Sequence, residues 1–142
     1  MGKAVAVDLD GCLAKYDVWE GLEEIGDPYS GAAEFLEAIQ TELELEVVLH
    51  TTRSNPDPFN EGEERATTEE LEALLWGWLQ EHELEEFVDR IHLGPGKPIA
   101  VAYVDDRAVP CMPGEHGGTL VRPEAEFHKA FYFIKSMVEE VG

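Results

Sequence analysis

The chain has 142 residues, a mass of 15.8 kDa and a hydrophobic content of 44%, which suits one domain with its own core and excludes a disordered chain. Its 31 acidic and 10 basic side chains give a net charge of −21, which argues against nucleic acid or an anionic membrane as a partner. No apolar run approaches the roughly 20 residues of a membrane-spanning helix, and no signal-peptide pattern is present. We therefore expect a cytoplasmic protein that is a monomer or a small homo-oligomer.

Most of the acidic residues are glutamates in stretches with helical character, such as 61–72 and 81–86. A solvated helix face accounts for this pattern, and adaptation to salt or a basic protein partner would also produce it. The two cysteines, Cys12 and Cys111, each have no second cysteine nearby. Neither a disulfide scaffold nor a zinc site is therefore indicated.

The predicted elements of the first half alternate between strand and helix. The apolar run 3–9 predicts a strand that is buried on both faces. A helix is expected over 31–41, capped by Ser30, and a second strand over 43–51. Residues 53–66 are polar and interrupted by two prolines, which is typical of a long functional loop.

The second half of the chain continues this alternation. A capping-box pattern at Thr67 and Glu70 opens a helix that carries leucines on one side and Trp76 on the opposite side, where we expect it to be exposed. Three strands and a final helix are then predicted, at 90–93, 99–104, 118–121 and 123–141. Apolar strands that alternate with helices predict an α/β fold: a three-layer, Rossmann-like domain with a central, mainly parallel five-stranded sheet and helices on both faces.

Polar side chains stand at the ends of three of these strands. They are Asp8 and Asp10 at the end of the first strand, Thr51 at the end of the second, Lys97 before the fourth, and Asp105 and Asp106 at the end of the fourth. Ligands of parallel sheets bind beyond the carboxyl ends of the strands, and neighbouring strands lie about 5 Å apart. We therefore expect these side chains to surround one small ligand.

The residue types in this group suit a particular chemistry. Carboxylates gathered closely repel one another unless a cation lies among them, and oxygen ligands without histidine or cysteine favour Mg²⁺. A lysine and a hydroxyl beside such a cluster suit a phosphoryl group, since its transfer depends on positioning and charge neutralisation. One aspartate could then be the nucleophile and the other a general acid and base. Each residue alone has a structural explanation, as a turn, a strand end or a helix cap; their shared placement favours a common site.

Four segments carry these residues: DLDGCL (8–13), VVLHTTR (47–53), KP (97–98) and YVDDRA (103–108). Together they resemble the four motifs of the haloacid dehalogenase (HAD) superfamily of phosphohydrolases, over residues 5–108. The resemblance implies that Asp8 is the nucleophile, that Asp10 is the general acid and base, and that Thr51 and Lys97 hold the phosphoryl group. It also implies a Mg²⁺ cofactor held by Asp8, Asp10 through its backbone carbonyl, Asp105 and Asp106.

Two features refine this resemblance. Cys12 stands where members of the family often have threonine, and a thiol is a poorer hydrogen-bonding partner for carboxylates. The stretches 13–30 and 93–97, where family members insert a cap, are too short for one. The resemblance therefore implies a single HAD-like domain over 1–142 that has no cap. Its site is then either open, as we expect, or covered by another subunit.

Several neighbouring residues have two interpretations each. Arg53 and Arg107 flank the expected site and either touch substrate anions or form salt bridges. Tyr16 and Trp19 either line the entrance or pack in the interior, and Lys97 could also be a solvated turn residue. The five histidines show no ligand spacing, so we expect structural roles for them.

These observations predict a Mg²⁺-dependent phosphomonoesterase that works through an aspartyl phosphate on a substrate of unknown identity. One alternative is a receiver-like phospho-acceptor, although a receiver has its lysine last, whereas here the pair Asp105 and Asp106 follows Lys97. Another alternative is a non-enzymatic acidic protein that binds a basic partner.

Overall fold

The computed structural model describes residues 3–18, 20–54, 67–94, 96–110, 115–116, 119–120 and 123–141. The chain divides into two compact units, Met1–Asp106 and Arg107–Gly142. The expected site residues all belong to the first of these units. Within the described part of the chain, no helix combines the length and the apolar character needed to cross a membrane.

The first unit is built on a four-stranded, all-parallel sheet. Its strands are β1 (Ala4–Asp8), β2 (Glu46–His50), β3 (Arg90–His92) and β4 (Ala102–Val104), arranged in the order β3-β2-β1-β4. β1 is central and buried along its whole length, as its unbroken apolar sequence predicts. In the register of the sheet, Asp8 lies opposite His50 and Val7 lies opposite Val104. The carboxyl ends of β1, β2 and β4 therefore lie side by side.

Two helices pack with the sheet in one hydrophobic core. They are α1 (Ala32–Thr41) and α2 (Thr68–Glu81), and short 3-10 turns cover Thr52–Ser54 and Glu85–Phe87. The core contains alternate residues of β1 and β2, which point to the same face of a sheet because successive strand residues alternate. Its buried members include Val5, Val7, Val47 and Leu49 from the strands, Leu36 and Ile39 from α1, and Leu71, Leu75, Trp78 and Leu79 from α2.

The two helix starts differ in how well the sequence predicts them. The capping box of α2 is confirmed, with Thr67 and Glu70 each accepting a hydrogen bond from the other's backbone N–H. The prediction that Ser30 caps α1 is wrong, because the cap is Gly31, which has a φ of 92° and no side-chain cap. A left-handed entry to the helix suits glycine, which adopts positive φ without steric strain. The prediction that Trp76 is exposed is also wrong: its large indole is half-buried and packs against the core.

The second unit contains the remaining predicted elements. β5 (Glu115–His116) and β6 (Thr119–Leu120) form a separate two-stranded antiparallel sheet, and α3 (Pro123–Val141) is confirmed over its whole predicted length. The described strands thus make a central sheet of four strands instead of the predicted five. β6 pairs with β5 and not with the central sheet, because strands so close in sequence pair most readily with each other. The predicted loop 53–66 lies, from residue 55 onward, outside the described residues.

Candidate functional site

Three carboxylates meet at the carboxyl end of the sheet. Asp8 is the last residue of the central strand and is 9% exposed, while Asp105 and Asp106 directly follow β4. Each of the three residues offers a carboxylate oxygen, and these oxygens lie within 4.8 Å of one another. The structure therefore brings together three of the four residues predicted to hold a metal, and we call Asp8, Asp105 and Asp106 the acidic cluster.

Gly11 makes room for this cluster. Its φ is 81°, in the left-handed region that favours glycine, and a β-carbon at this position would overlap the carboxylate of Asp106. The turn is closed by the N–H of Gly11, which donates to the carbonyl of Ala14 over 2.8 Å. Glycine is therefore favoured here by its backbone conformation, and any larger residue would also displace the carboxylate of Asp106.

The surroundings of Asp8 make its negative charge costly. Burial, the charge of Asp105, and the charge and hydrogen bond of Asp106 raise the pKa of Asp8 from 3.8 to about 7, although the backbone N–H of Leu9 opposes this change. Without a cation, the acidic cluster thus tends to retain a proton near neutral pH. A divalent cation would remove this cost by compensating the charges.

The donor set of the cluster fits Mg²⁺. All three donors are carboxylate oxygens, which are the hard ligands that this ion prefers. Asp105 is half-buried and Asp106 is exposed, so an ion held there could keep several of its waters, as Mg²⁺ usually does.

Thr51 lies at the same end of the sheet as the acidic cluster, and Lys97 lies against Tyr103 of β4. Thr51 directly follows β2, is 4% exposed, and accepts a hydrogen bond from the N–H of Arg53 through its hydroxyl, over 3.2 Å. The ammonium of Lys97 lies 4.4 Å from the centroid of the Tyr103 ring.

The imidazole of His50 is affected by the charges of both Lys97 and Asp105. Burial lowers the pKa of His50, the charge of Asp105 opposes that effect, and the charges of His92 and Lys97 add to it. Asp105 and Lys97 therefore act on the same imidazole. The sequence predicts only a structural role for His50, yet the charges of Asp105 and Lys97 both act on its ring.

Asp10 is engaged differently from the other aspartates. Its two carboxylate oxygens accept hydrogen bonds from Arg53, from Nε over 2.7 Å and from Nη2 over 2.8 Å. Of the two interpretations of Arg53, the structure thus favours the salt bridge. A metal contact of Asp10 through its backbone carbonyl stays a prediction, and Arg107 keeps both of its interpretations.

The segment after the first strand forms the wall of an open cavity of about 420 Å³. Tyr16 is among its lining residues, with Lys15, Glu20, Glu24, Ile25 and Tyr29. None of the predicted site residues lines this cavity, so a role for Tyr16 at the entrance of the site stays a prediction. Trp19, its predicted companion, lies outside the described residues.

Cys12, which replaces the usual threonine of the resembled motif, is half-buried beside the cluster. Burial and the charges of the three cluster carboxylates raise the pKa of its thiol to about 11. The protonated thiol lies 3.9 Å from the carbonyl oxygen of Val104, to which it donates a weak hydrogen bond. At neutral pH and with no cation in the cluster, this thiol is therefore protonated, which makes it a weak nucleophile.

Comparison with models of protein families, with curated proteins and with solved structures finds no match for this chain. A functional assignment therefore depends on the site itself.

Proposed function

We propose that this chain is a Mg²⁺-dependent phosphomonoesterase of the HAD type, which forms an aspartyl phosphate on Asp8. The observation that carries the proposal is the placement of Asp8 at the end of the central strand, with carboxylate oxygens of Asp105 and Asp106 within 4.8 Å. A buried hydroxyl, that of Thr51, follows the adjacent parallel strand. A three-layer, Rossmann-like arrangement with helices on both faces of the sheet forms part of the same proposal.

The acidic cluster would hold the cation, together with the backbone carbonyl of Asp10. Bound there, Mg²⁺ would supply positive charge to the phosphoryl oxygens and to the crowded carboxylates. The hydroxyl of Thr51 and the ammonium of Lys97 would donate hydrogen bonds to the remaining phosphoryl oxygens.

The two aspartates of the first motif, Asp8 and Asp10, would carry out the covalent chemistry and the proton transfers. A carboxylate oxygen of Asp8 attacks the phosphorus atom, a bond forms between them, and the bond from phosphorus to the leaving oxygen breaks. Asp10 in its protonated form donates a proton to that leaving oxygen, so the alcohol departs neutral. Asp10, now a carboxylate, accepts a proton from water, whose oxygen forms a bond to the phosphorus atom while the bond from phosphorus to the Asp8 oxygen breaks. This step regenerates the Asp8 carboxylate and the protonated Asp10 and releases inorganic phosphate.

Hydrolysis of p-nitrophenyl phosphate tests this proposal. We expect turnover with Mg²⁺ that is lost with excess chelator, and that is also lost in Asp8→Asn because an amide is a poor nucleophile of nearly the same shape. Asp27→Asn, which alters an exposed aspartate outside the cluster, is the matched control and should retain activity. Turnover of Asp8→Asn within tenfold of the wild type would contradict the covalent mechanism.

The same preparation distinguishes the two alternatives. A receiver-like phospho-acceptor would take up phosphate from a small acyl phosphate and retain it, with one equivalent bound and no continued release. An acidic protein that only binds a basic partner would show neither turnover nor phosphate uptake.

A further inference from the structure

We propose that Arg53 is a positioning residue, which orients Asp10 and fixes segment 21–24 relative to it. The part of this role that concerns catalysis rests on the proposed function. The part that concerns the segment rests on hydrogen bonds alone.

The guanidinium of Arg53 uses its whole set of donors. Nε and Nη2 donate to the two oxygens of Asp10, over 2.7 and 2.8 Å. Nη1 donates to the carbonyls of Gly21 and Leu22, over 3.2 and 2.6 Å, and Nη2 also donates to the carbonyl of Glu24, over 2.9 Å. A guanidinium has five N–H donors, and these five contacts account for all of them. Arg53 therefore has no spare donor for a substrate phosphate, and its effect on the reaction must pass through Asp10.

Burial makes this arrangement specific to arginine. The side chain of Arg53 is 1% exposed and that of Asp10 is 15% exposed, so each charge depends on its partners for stabilisation. The planar fork of arginine fixes the plane of a carboxylate, which the single ammonium of lysine cannot do. Each oxygen of Asp10 keeps a further lone pair, on which the carboxylate can take up the proton that it then passes to a leaving oxygen.

Segment 21–24 lies within a longer excursion of the chain that returns to the first motif. The N–H of Lys15 donates to the carbonyl of Asp27 and the N–H of Tyr29 donates to the carbonyl of Leu13, both over 2.8 Å. These bonds close the base of the excursion, and Arg53 holds the stretch between them through three carbonyls. Glu24 lines the 420 Å³ cavity. Arg53 thus connects Asp10, the proposed acid, to segment 21–24, which contributes Glu24 to the wall of the cavity. Loss of order in Asp10 should therefore also loosen segment 21–24.

The kinetic test compares two leaving groups in Arg53→Lys. An alkyl phosphate needs proton donation to its leaving oxygen, whereas p-nitrophenolate departs without it. We expect the rate with the alkyl phosphate to fall by on the order of 10²-fold and the rate with p-nitrophenyl phosphate to fall by less than about tenfold. Asp10→Asn should lower the same ratio, and the double variant should lower it no further. Arg90→Lys, at a half-exposed arginine 3.9 Å from Glu46, should leave the ratio unchanged.

A purely structural role for Arg53 would reduce both rates by the same factor. That outcome, with a wild type that depends on Asp8 and Mg²⁺, would overturn the orienting role and leave the proposed function intact. Absence of any Asp8-dependent turnover in the wild type would instead overturn the proposed function.

Amide hydrogen exchange tests the segment without reference to turnover. In Arg53→Lys, we expect faster exchange of the amides at 20–25, with exchange in β1 and β2 unchanged. Asp10→Asn should produce the same change, because its amide group places donors opposite the donors of Arg53 and so weakens the fork. This second variant keeps the buried arginine and serves if Arg53→Lys does not fold. Exchange at 20–25 equal to that of the wild type in Asp10→Asn would overturn the coupling.

Discussion

Asp8 carries the proposed chemistry, and its surroundings in the folded protein disfavour its negative charge. The folded state raises the pKa of Asp8 from 3.8 to about 7, first through burial and then through the charge of Asp105. The folded protein therefore binds a proton at Asp8 more tightly than the unfolded chain does. Between these two pKa values the folded state carries more protons, so this group makes the free energy of unfolding fall as the pH rises.

The variant Asp8→Asn should remove this pH dependence. In the presence of chelator, we expect it to raise the free energy of unfolding at about pH 8 by a few kcal/mol, since each pKa unit corresponds to about 1.4 kcal/mol. At about pH 4 the carboxyl is nearly neutral in the folded state, so the difference should be small. Urea unfolding of both proteins at the two pH values measures this effect. An equal difference at both pH values would contradict the assignment of the raised pKa to Asp8.

A second residue-scale prediction concerns Gly11. Gly11→Ala should lower the free energy of unfolding by at least about 1–2 kcal/mol, because φ is 81° and the new β-carbon would overlap the carboxylate of Asp106. Displacement of Asp106 should also reduce the rise in melting temperature that Mg²⁺ produces.

Gly77→Ala is the matched control for this variant. Gly77 lies within α2, and a β-carbon there would meet no atom within 4 Å apart from the neighbouring residues and backbone of its own helix. The substitution should stabilise the helix by up to about 1 kcal/mol and leave the response to Mg²⁺ unchanged. A loss of the Mg²⁺ response in both variants, or in neither, would contradict the role of Gly11.

At the scale of elements, the sequence predicts what depends on local pattern. β1, α2 and α3 follow from apolar runs and helical periodicity, which act within each segment whatever its neighbours are. The pairing of β6 with β5 was missed, because an apolar run does not specify its partner strand. β4 begins at Ala102 and not at residue 99. The start of a strand is set by its pairing with a neighbour and not by hydrophobicity, and the pairing of β4 with β1 begins at Ala102 and Val5.

The candidate site shows the same division. The grouping of Asp8 with Asp105 and Asp106 could be predicted because all three stand at the carboxyl ends of adjacent parallel strands, and the topology then fixes their proximity. The bond from Asp10 to Arg53 spans 43 positions and joins a turn to a short 3-10 segment. The hydrophobic periodicity of the sequence does not reveal such a contact. Only the position of Arg53, two residues after Thr51, indicates that Arg53 lies near the site.

The capping box of α2 supports a prediction at this scale. Thr67→Ala should lower the free energy of unfolding by about 1 kcal/mol, because the hydroxyl of Thr67 accepts a hydrogen bond from the N–H of Glu70 over 3.1 Å. The matched control is Thr68→Ala, at an exposed position in the first turn that does not cap the helix. Chemical denaturation should separate the two variants. Equal stability of the two would show that the box contributes nothing.

At the scale of the whole molecule, a net charge of −21 affects every experiment with cations. Mutual repulsion among surface carboxylates destabilises a compact state, and any salt relieves part of it by screening. A rise in melting temperature on addition of Mg²⁺ is therefore not by itself evidence of a site. Screening depends on ionic strength and net charge, whereas site binding depends on the particular carboxylates that form the site.

Asp105→Ala and Glu72→Ala separate these two effects because each removes one negative charge. Asp105 belongs to the acidic cluster, and Glu72 lies on an exposed position of α2. With Na⁺ at matched ionic strength, we expect both variants and the wild type to gain stability to a similar extent. With Mg²⁺ at about 100 times its dissociation constant, the wild type and Glu72→Ala should gain about 2.7 kcal/mol more, or at least about 5 °C in melting temperature. Asp105→Ala should lose most of that additional gain. If Mg²⁺ stabilised all three proteins equally beyond Na⁺, the stabilisation would come from the surface as a whole, and the acidic cluster would not be a metal site.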